Sequence, residues 1–138
     1  MIKIKFYVQN GNYVGLSCTG HADYADLGSD IVCASISTLT QTLAMGLKDV
    51  VGLKLDYKVS EKNAKLDLRL PENISEKEMI ESQILFKTTY LAIEDFCSGY
   101  PKNIKMEVKN LWLLRYSCLL TTKVKVLPKT VVIVKVNV

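Results

Sequence analysis

Residues 20–37 read GHADYADLGSDIVCASIS, and this segment joins a strand pattern to a long helix pattern. It holds His21, the single histidine among 138 residues, and Cys33, one of four cysteines. Ser29 and Asp30 stand directly before an apolar run, where a helix N-cap residue is typical. We therefore expect a loop that leaves a strand at His21 and enters a helix capped by Asp30.

Cys33 would be the third residue of that helix. Unpaired amide groups and the positive end of the helix dipole favour a thiolate there, whereas the neighbouring carboxylate of Asp30 opposes it. A histidine across the loop can be the base that a cysteine nucleophile needs, and the amides of residues 32–34 are candidate oxyanion donors. The alternative is that Cys33 is a small buried apolar residue and that His21 is only a hydrogen-bonded polar residue.

The groups Gly20-His21-Ala22 and Gly28-Ser29-Asp30-Ile31-Val32-Cys33-Ala34, followed by Ser37, resemble the signature of the ribosomal-processing cysteine proteases of bacteria. The resemblance covers about residues 1 to 109, in element order as well as in motif. It implies a catalytic base at His21, a nucleophile at Cys33, and supporting site residues at Asp30 and Ser37. It also implies an activity, namely a cysteine endopeptidase that trims the N-terminal extension of the large-subunit ribosomal protein L-twenty-seven after an apolar-aromatic run.

Small residues surround the two candidate catalytic side chains. Gly20, Gly28 and Ala34 leave room for a peptide backbone to approach, so we predict that they contribute to substrate binding. A hypothesis from a different class is a non-enzymatic ribosome-associated or assembly adaptor, in which Cys33 only packs. Selective alkylation of Cys33 in the folded protein would favour the protease.

Composition limits the remaining function classes. No apolar run reaches the length of a membrane span, and no secretory signal is visible, so we expect a cytoplasmic protein with free thiols and no membrane partner. One histidine and no C-x-x-C pair predict no metal, and no cofactor is indicated. From Leu111 onward there are five basic residues and no acidic one, so residues 1–110 hold 13 basic and 14 acidic side chains. We expect no direct contact with nucleic acid.

Hydrophobic periodicity predicts the order strand, strand, helix, strand, strand, helix, strand. An Asn-Gly turn joins the first two strands, and a Ser75-x-x-Glu78 capping box opens the second helix. The predicted class is α+β, a mostly antiparallel sheet with two long helices packed on one face. The predicted strands are 2–8, 13–19, 53–59, 64–70 and 102–108, and the predicted helices are 31–51 and about 75–98.

The second helix is apolar on two sides. Ile80, Ile84 and Leu91 form one stripe, and a second stripe includes Phe86 and Ile93. A helix that packs on its own sheet through one stripe needs a partner for the other, so we expect a homodimer, which the resemblance also implies. Coverage by loops of the same chain is the alternative.

The segment 111–138 differs from the rest, and we predict a protease domain over residues 1–110 followed by an atypical tail outside the native domain. We considered the DNA that could encode the tail, read in a shifted frame. From Lys123 onward, each shifted triplet consists of the third base of one codon and the first two bases of the next. With suitable synonymous codons, these triplets encode Gly-Glu-Gly-Ser-Thr-Lys-Asn-Gly-Arg-Asp-Ser-Glu-Ser-Lys-Arg. This resembles the start of mature ribosomal protein L-twenty-seven. Our hypothesis is that the reading frame runs out of phase into the gene of the substrate, and the DNA sequence of the locus tests it.

Overall fold

The computed structural model of the chain describes residues 1–25, 29–60 and 64–111. Its elements are β1 (Ile2–Gln9), β2 (Asn12–Thr19), α1 (Ile31–Met45), β3 (Asp56–Ser60), β4 (Lys65–Arg69), α2 (Glu76–Gly99) and β5 (Ile104–Asn110). The predicted element order is therefore confirmed. The candidate substrate-binding residue Gly28 and residues 112–138 of the tail lie outside the described residues, so the domain boundary near residue 110 stays a prediction.

The strands form a five-stranded sheet in the order β3-β4-β2-β1-β5. Three neighbouring pairs, β1 with β2, β2 with β4 and β3 with β4, are antiparallel, and β1 with β5 is parallel. The predicted α+β class with a mostly antiparallel sheet is thus confirmed. The order places the β1–β2 hairpin in the middle, so that the end of β2 lies beside the start of β4, where Thr19 pairs with Lys65.

One hydrophobic core holds both helices against a single face of the sheet. Alternate residues Ile2, Ile4 and Phe6 of β1 are buried, as the strand period requires. They share a cluster with Val32, Ile36 and Leu43 of α1 and with Phe86 and Ile93 of α2. At about 25 cal/mol per Å² of apolar area, this burial is the main stabilising contribution of the fold.

The end of the first helix differs from its prediction. The α-helix stops at Met45 and continues as a π-helical turn over Gly46–Val50. The three- and four-residue spacing of Leu43, Leu47 and Val50 predicts that all three lie on the core stripe of the helix. Because a π-turn closes hydrogen bonds from i to i+5, its residues do not keep the rotation of an α-helix. Val50 is 83% exposed, so its prediction is wrong, whereas Leu47 is fully buried as predicted. Leu53 follows as a buried residue whose amide donates to the carbonyl of Leu47, so the next strand begins only at Asp56.

Two features position the second helix. Gly46, at the start of the π-helical turn, lies against α2, because a Cβ atom there would be 3.1 Å from Cδ1 of Leu85. The capping box at Ser75 and Glu78 opens α2, with the Glu78 carboxylate accepting from the Ser75 amide at 2.7 Å. This side-chain pairing fixes where α2 starts and holds the pKa of the Glu78 carboxyl below its usual value.

Candidate active site

The candidate site lies where β2 ends and α1 begins. His21 lies two residues after the end of β2 and is exposed, whereas its neighbour Ala22 is buried in the core. The side-chain amide of Asn103 donates to the carbonyl of Ala22 at 2.8 Å, and the amide of Gly20 donates to the carbonyl of Ala64 at 3.0 Å. The backbone is therefore anchored on both sides of His21, which limits the positions its ring can take.

Asp30 is the N-cap of α1, as predicted. Its Oδ1 accepts from the amide of Cys33 at 2.8 Å, and its Oδ2 accepts from the amide of Tyr24 at 3.2 Å. The hydrogen bond from Cys33, with further backbone donors, holds the pKa of the Asp30 carboxyl below its usual value. One ionised carboxylate thus ties the first turn of α1 to the loop that follows His21.

The same contacts alter the expected oxyanion site. The amide of Cys33 is bonded to the Asp30 side chain, and the amide of Ala34 donates to the Asp30 carbonyl at 3.0 Å. Two of the three amides predicted as oxyanion donors are therefore already engaged in this arrangement. Asp30 stabilises the start of α1, but it does so by accepting hydrogen bonds from backbone amides that were expected to bind the oxyanion of the substrate.

The structure brings most of the predicted site residues together. His21, Asp30, Cys33, Ala34 and Ser37 line one cavity of about 440 Å³, which we call the loop cavity. Cys33 is half-buried in the first turn of α1, and Ser37 lies one turn further along the helix. Asp23 and Ala25 complete the lining.

A second cavity of about 290 Å³ meets the same residues. His21, Cys33 and Ser37 line it as well, together with Gly20 and residues of α1, β3 and β4. The candidate dyad therefore lines two cavities rather than one. The single sequence carries no sign of this second cavity, because strands distant from the motif form its far wall.

Gly20 has a conformational requirement of its own. Its φ is +90°, a value that side chains disfavour, and a Cβ atom would lie 2.8 Å from the carbonyl oxygen of Met1. Gly20 also lines the second cavity, and its role in substrate binding stays a prediction. The backbone position alone is enough to require glycine.

Cys18 of β2 is a further neighbour of the site, although its place in a strand predicts only core packing. It packs against the core cluster, and it also lines the second cavity together with Cys33. Burial, and secondarily the nearby Cys33, raise the pKa of the Cys18 thiol to about 11, so that it stays protonated at neutral pH. Its position near the end of β2, three residues before His21, was the available signal.

Within residues 1–25, 29–60 and 64–111, no three or more His, Cys, Asp or Glu side chains are grouped so as to hold a metal ion. No helix in those ranges combines the length and apolar character needed to cross a membrane.

Known proteins similar to this chain are found among families and among solved structures. The profile of the family described as cysteine protease Prp matches residues 1–105. The Staphylococcus aureus ribosomal processing protease Prp, crystallised with a covalently linked product peptide, is 22% identical, with a TM-score of 0.70 over 79% of this chain and 100% of that one. SMU.848 from Streptococcus mutans is 25% identical, with a TM-score of 0.69 over 80% of this chain and 96% of that one. No curated protein sequence matches this chain.

The family profile decides between the two hypotheses drawn from the sequence. It spans the loop of His21, the first turn of α1 and every strand up to the start of β5. The non-enzymatic adaptor is therefore the weaker hypothesis. The chain belongs to the cysteine protease Prp family, and it is a cysteine protease.

Proposed function

We propose that this protease removes the N-terminal extension of a ribosomal protein precursor, with Cys33 as nucleophile and His21 as base. The observation that carries the assignment is the cavity that His21 and Cys33 line together at the start of α1. Among the described cysteines, Cys18 and Cys97 have thiols whose pKa burial raises, which makes them poor nucleophiles at neutral pH. Cys33 is the described cysteine that lines both cavities together with His21, whereas Cys18 lines only the second.

The chemistry follows from these positions. The imidazole of His21 accepts the proton of the Cys33 thiol, and the thiolate attacks the scissile carbonyl carbon to give a tetrahedral intermediate. The C–N bond then breaks as the imidazolium gives its proton to the departing amine, leaving a thioester between Cys33 and the N-terminal fragment. Water, deprotonated by His21, attacks the thioester, and the sulfur leaves as the thiolate.

Asp30 and Ser37 have supporting roles in this proposal. Asp30 holds the amide of Cys33 and the loop at Tyr24, so it keeps the nucleophile next to the segment that carries the base. Ser37 lines both cavities one helical turn after Cys33, where a hydroxyl can contact a bound peptide. Neither residue takes or gives a proton in the steps above.

The substrate class rests on two independent observations. The structurally similar protein from Staphylococcus aureus is described as a ribosomal processing protease, and it has been crystallised with a substrate peptide. The shifted triplets of the tail resemble the mature start of ribosomal protein L-twenty-seven, which would place the gene of that protein next to this one. We therefore propose the precursor of L-twenty-seven as the substrate and the cytoplasm, where ribosomal proteins are made, as the compartment.

We further propose that the protease works as a homodimer. Ile80, Ile84 and Leu91 follow one another along one side of α2, and they are 57%, 61% and 63% exposed in the single chain. The opposite side of α2 packs into the core through Phe86 and Ile93. A continuous apolar stripe on a surface helix is typical of a contact between subunits.

Mass spectrometry of a purified precursor tests the substrate assignment. Incubation with the protease should give a single cut at the end of the apolar-aromatic run, whereas an unrelated peptide of equal length should stay intact. A protease that cuts the unrelated peptide and leaves the precursor whole would refute the ribosomal assignment without affecting the family.

A further inference from the structure

The segment 20–24 carries His21 outside the sheet, between β2 and the first turn of α1. Its far end is held by α1, since the amide of Tyr24 donates to the carboxylate of Asp30 at 3.2 Å. Before that point the chain turns through Asp23, whose φ of +52° lies in the left-handed region that few residues other than glycine adopt. Such a backbone persists where neighbouring contacts hold it. The contacts to this segment therefore decide where the imidazole lies.

The turn between α2 and β5 supplies two of these contacts. The side-chain amide of Asn103 donates to the carbonyl of Ala22 at 2.8 Å. The ring of Tyr100 meets the ring of Tyr24 edge to face, with the two centroids 5.4 Å apart and the planes at 86°. We call Tyr100 and Asn103 the base clamp, because Asn103 holds the residue directly after His21 and Tyr100 holds the ring at the end of the segment.

The base clamp is itself fixed to the core of the fold. The carbonyl of Asn103 accepts from the amide of Ile2 at 2.8 Å, and the amide of Asn103 donates to the carbonyl of Tyr100 at 3.0 Å. The ring of Tyr100 stacks on that of Phe96, with the centroids 6.1 Å apart. The side chain of Asn103 therefore reaches Ala22 from a backbone that β1 and the end of α2 anchor independently of the segment it holds.

The base clamp lies outside the two cavities of the site. Neither Tyr100 nor Asn103 is among the described residues that line them, and nor is Tyr24, whereas His21 lines both. A peptide bound in these cavities can contact the base without contacting the residues that hold its backbone. The arrangement separates the placement of the base from the binding of the substrate.

We propose that Asn103 and Tyr100 are positioning residues for the reaction, which hold the segment 20–24 so that the imidazole of His21 meets the thiol of Cys33. The inference rests on the proposed function, in which His21 is the base. A base must lie within hydrogen-bond reach of the proton it takes, and a small displacement of a catalytic group lowers the rate steeply. An exposed histidine on a segment held only at its ends would spend less time within that reach.

Asn103→Leu tests the base clamp, because leucine keeps the approximate size of asparagine, adds no charge and removes the donor. Its kcat for a peptide spanning the precursor cut should fall about tenfold, the scale of a misplaced catalytic group, while KM changes less than about twofold. Asn110→Leu is the matched control, since Asn110 is exposed at the opposite end of β5, and it should leave both constants unchanged. An equal kcat in the two variants would overturn the proposal.

A double-mutant cycle shows whether Asn103 acts through His21. We would measure alkylation of Cys33 by iodoacetamide at neutral pH, a reaction that needs no substrate. Asn103→Leu should slow this alkylation about tenfold in the wild type and change it little in the His21→Ala background, where no base is left to position. A loss by the same factor in both backgrounds would show that Asn103 supports only the fold, and would overturn the proposal.

Tyr24→Leu serves as the test if Asn103→Leu does not fold, because Tyr24 is 49% exposed and its replacement leaves the core intact. It should slow the alkylation about threefold, again only where His21 is present, since it removes one aromatic pair. Equal alkylation rates of wild type and His21→Ala would overturn the proposed base, and the base clamp with it. A slow His21→Ala variant beside normal Asn103→Leu and Tyr24→Leu variants would overturn the base clamp alone.

Discussion

At the scale of single residues, the site depends on which thiol is free to react. Burial raises the pKa of Cys18 to about 11, and burial together with Glu94 raises that of Cys97. At neutral pH both should remain protonated and react slowly, because the thiolate is the nucleophile. We expect limiting iodoacetamide to label Cys33 first, as measured by peptide mapping of the folded protein.

The pH dependence of this labelling is a second check. Labelling of Cys18 should become appreciable only as the pH approaches 11, and unfolding in urea should remove the selectivity. Equal labelling of Cys18 and Cys33 at pH 7 in the folded protein would contradict the assignment of Cys33 as the nucleophile.

Asp30 links the stability of the fold to pH. Its folded-state pKa is lowered, chiefly by the amide of Cys33, so its stabilising contribution is present above the unfolded value of about 3.9 and is lost as the pH falls through the folded value. Asp30→Ala should lower the free energy of unfolding by about 1 kcal/mol at pH 7, a typical value for loss of an N-cap. The difference from wild type should shrink in acid.

Urea unfolding at neutral and acidic pH measures this effect. Asp30→Asn is the control, since asparagine caps a helix without titrating, and its unfolding should not share the acid-dependent loss. A deficit for Asp30→Ala that is the same at both pH values would show that the carboxylate is not the stabilising group.

At the scale of elements, the pairing of β2 with β4 depends on a glycine. Arg69 of β4 reaches across Gly15 of β2 to place its guanidinium carbon 3.3 Å from the ring centroid of Tyr7 on β1. A Cβ atom on residue 15 would lie 2.6 Å from both the Leu68 carbonyl oxygen and the Arg69 Nη1. The side chain of Arg69 therefore bridges three strands only because residue 15 has none.

Gly15→Ala should destabilise the sheet by about 1–3 kcal/mol, as overpacking usually does. Urea unfolding followed by circular dichroism measures it, with Gly99→Ala as control because a Cβ atom there meets nothing within 4 Å. If Gly15→Ala were as stable as wild type, the close approach of β2 and β4 at this point would be wrong.

The sequence predicts the strands and helices more accurately than it predicts which of their residues are buried. Alternating residues such as Ile2, Ile4 and Phe6 carry their own period, so β1 could be placed from local pattern alone. The π-helical turn at Gly46–Val50 breaks the helical period, so the spacing wrongly predicts a core position for Val50, which is exposed. Hydrophobic periodicity predicts the face of a helix on which a residue lies only where the helix keeps the ordinary α-helical pitch.

In the candidate site, contacts within one short segment were predictable, whereas contacts between distant segments were not. His21, Asp30 and Cys33 lie within one short segment, and a strand-loop-helix reading was enough to predict that they meet. The second cavity was not predictable, because Val59 and Leu66 come near His21 and Cys33 only through the pairing of β2 with β4 and of β4 with β3. The capping contact that engages the amide of Cys33 likewise depends on the exact rotation of the Asp30 side chain.

At the scale of the whole molecule, the exposed stripe on α2 predicts how copies associate. Ile84→Lys places a charge in the middle of the stripe formed with Ile80 and Leu91, and should convert the proposed dimer to a monomer. Sedimentation velocity measures the change, with Val108→Lys as a control outside the stripe. A wild-type protein that sediments as a monomer at micromolar concentration would rule out the proposed homodimer.

The central claim is that His21 and Cys33 together break the peptide bond of the precursor. The most direct measurement is the rate of product formation by mass spectrometry for wild type, Cys33→Ala and His21→Ala, after thermal unfolding has shown that all three are folded. We expect no product from Cys33→Ala, and a rate at least about a hundredfold below wild type for His21→Ala, the usual loss of a positioned base. Turnover by Cys33→Ala, or an unchanged rate in His21→Ala, would contradict the assignment.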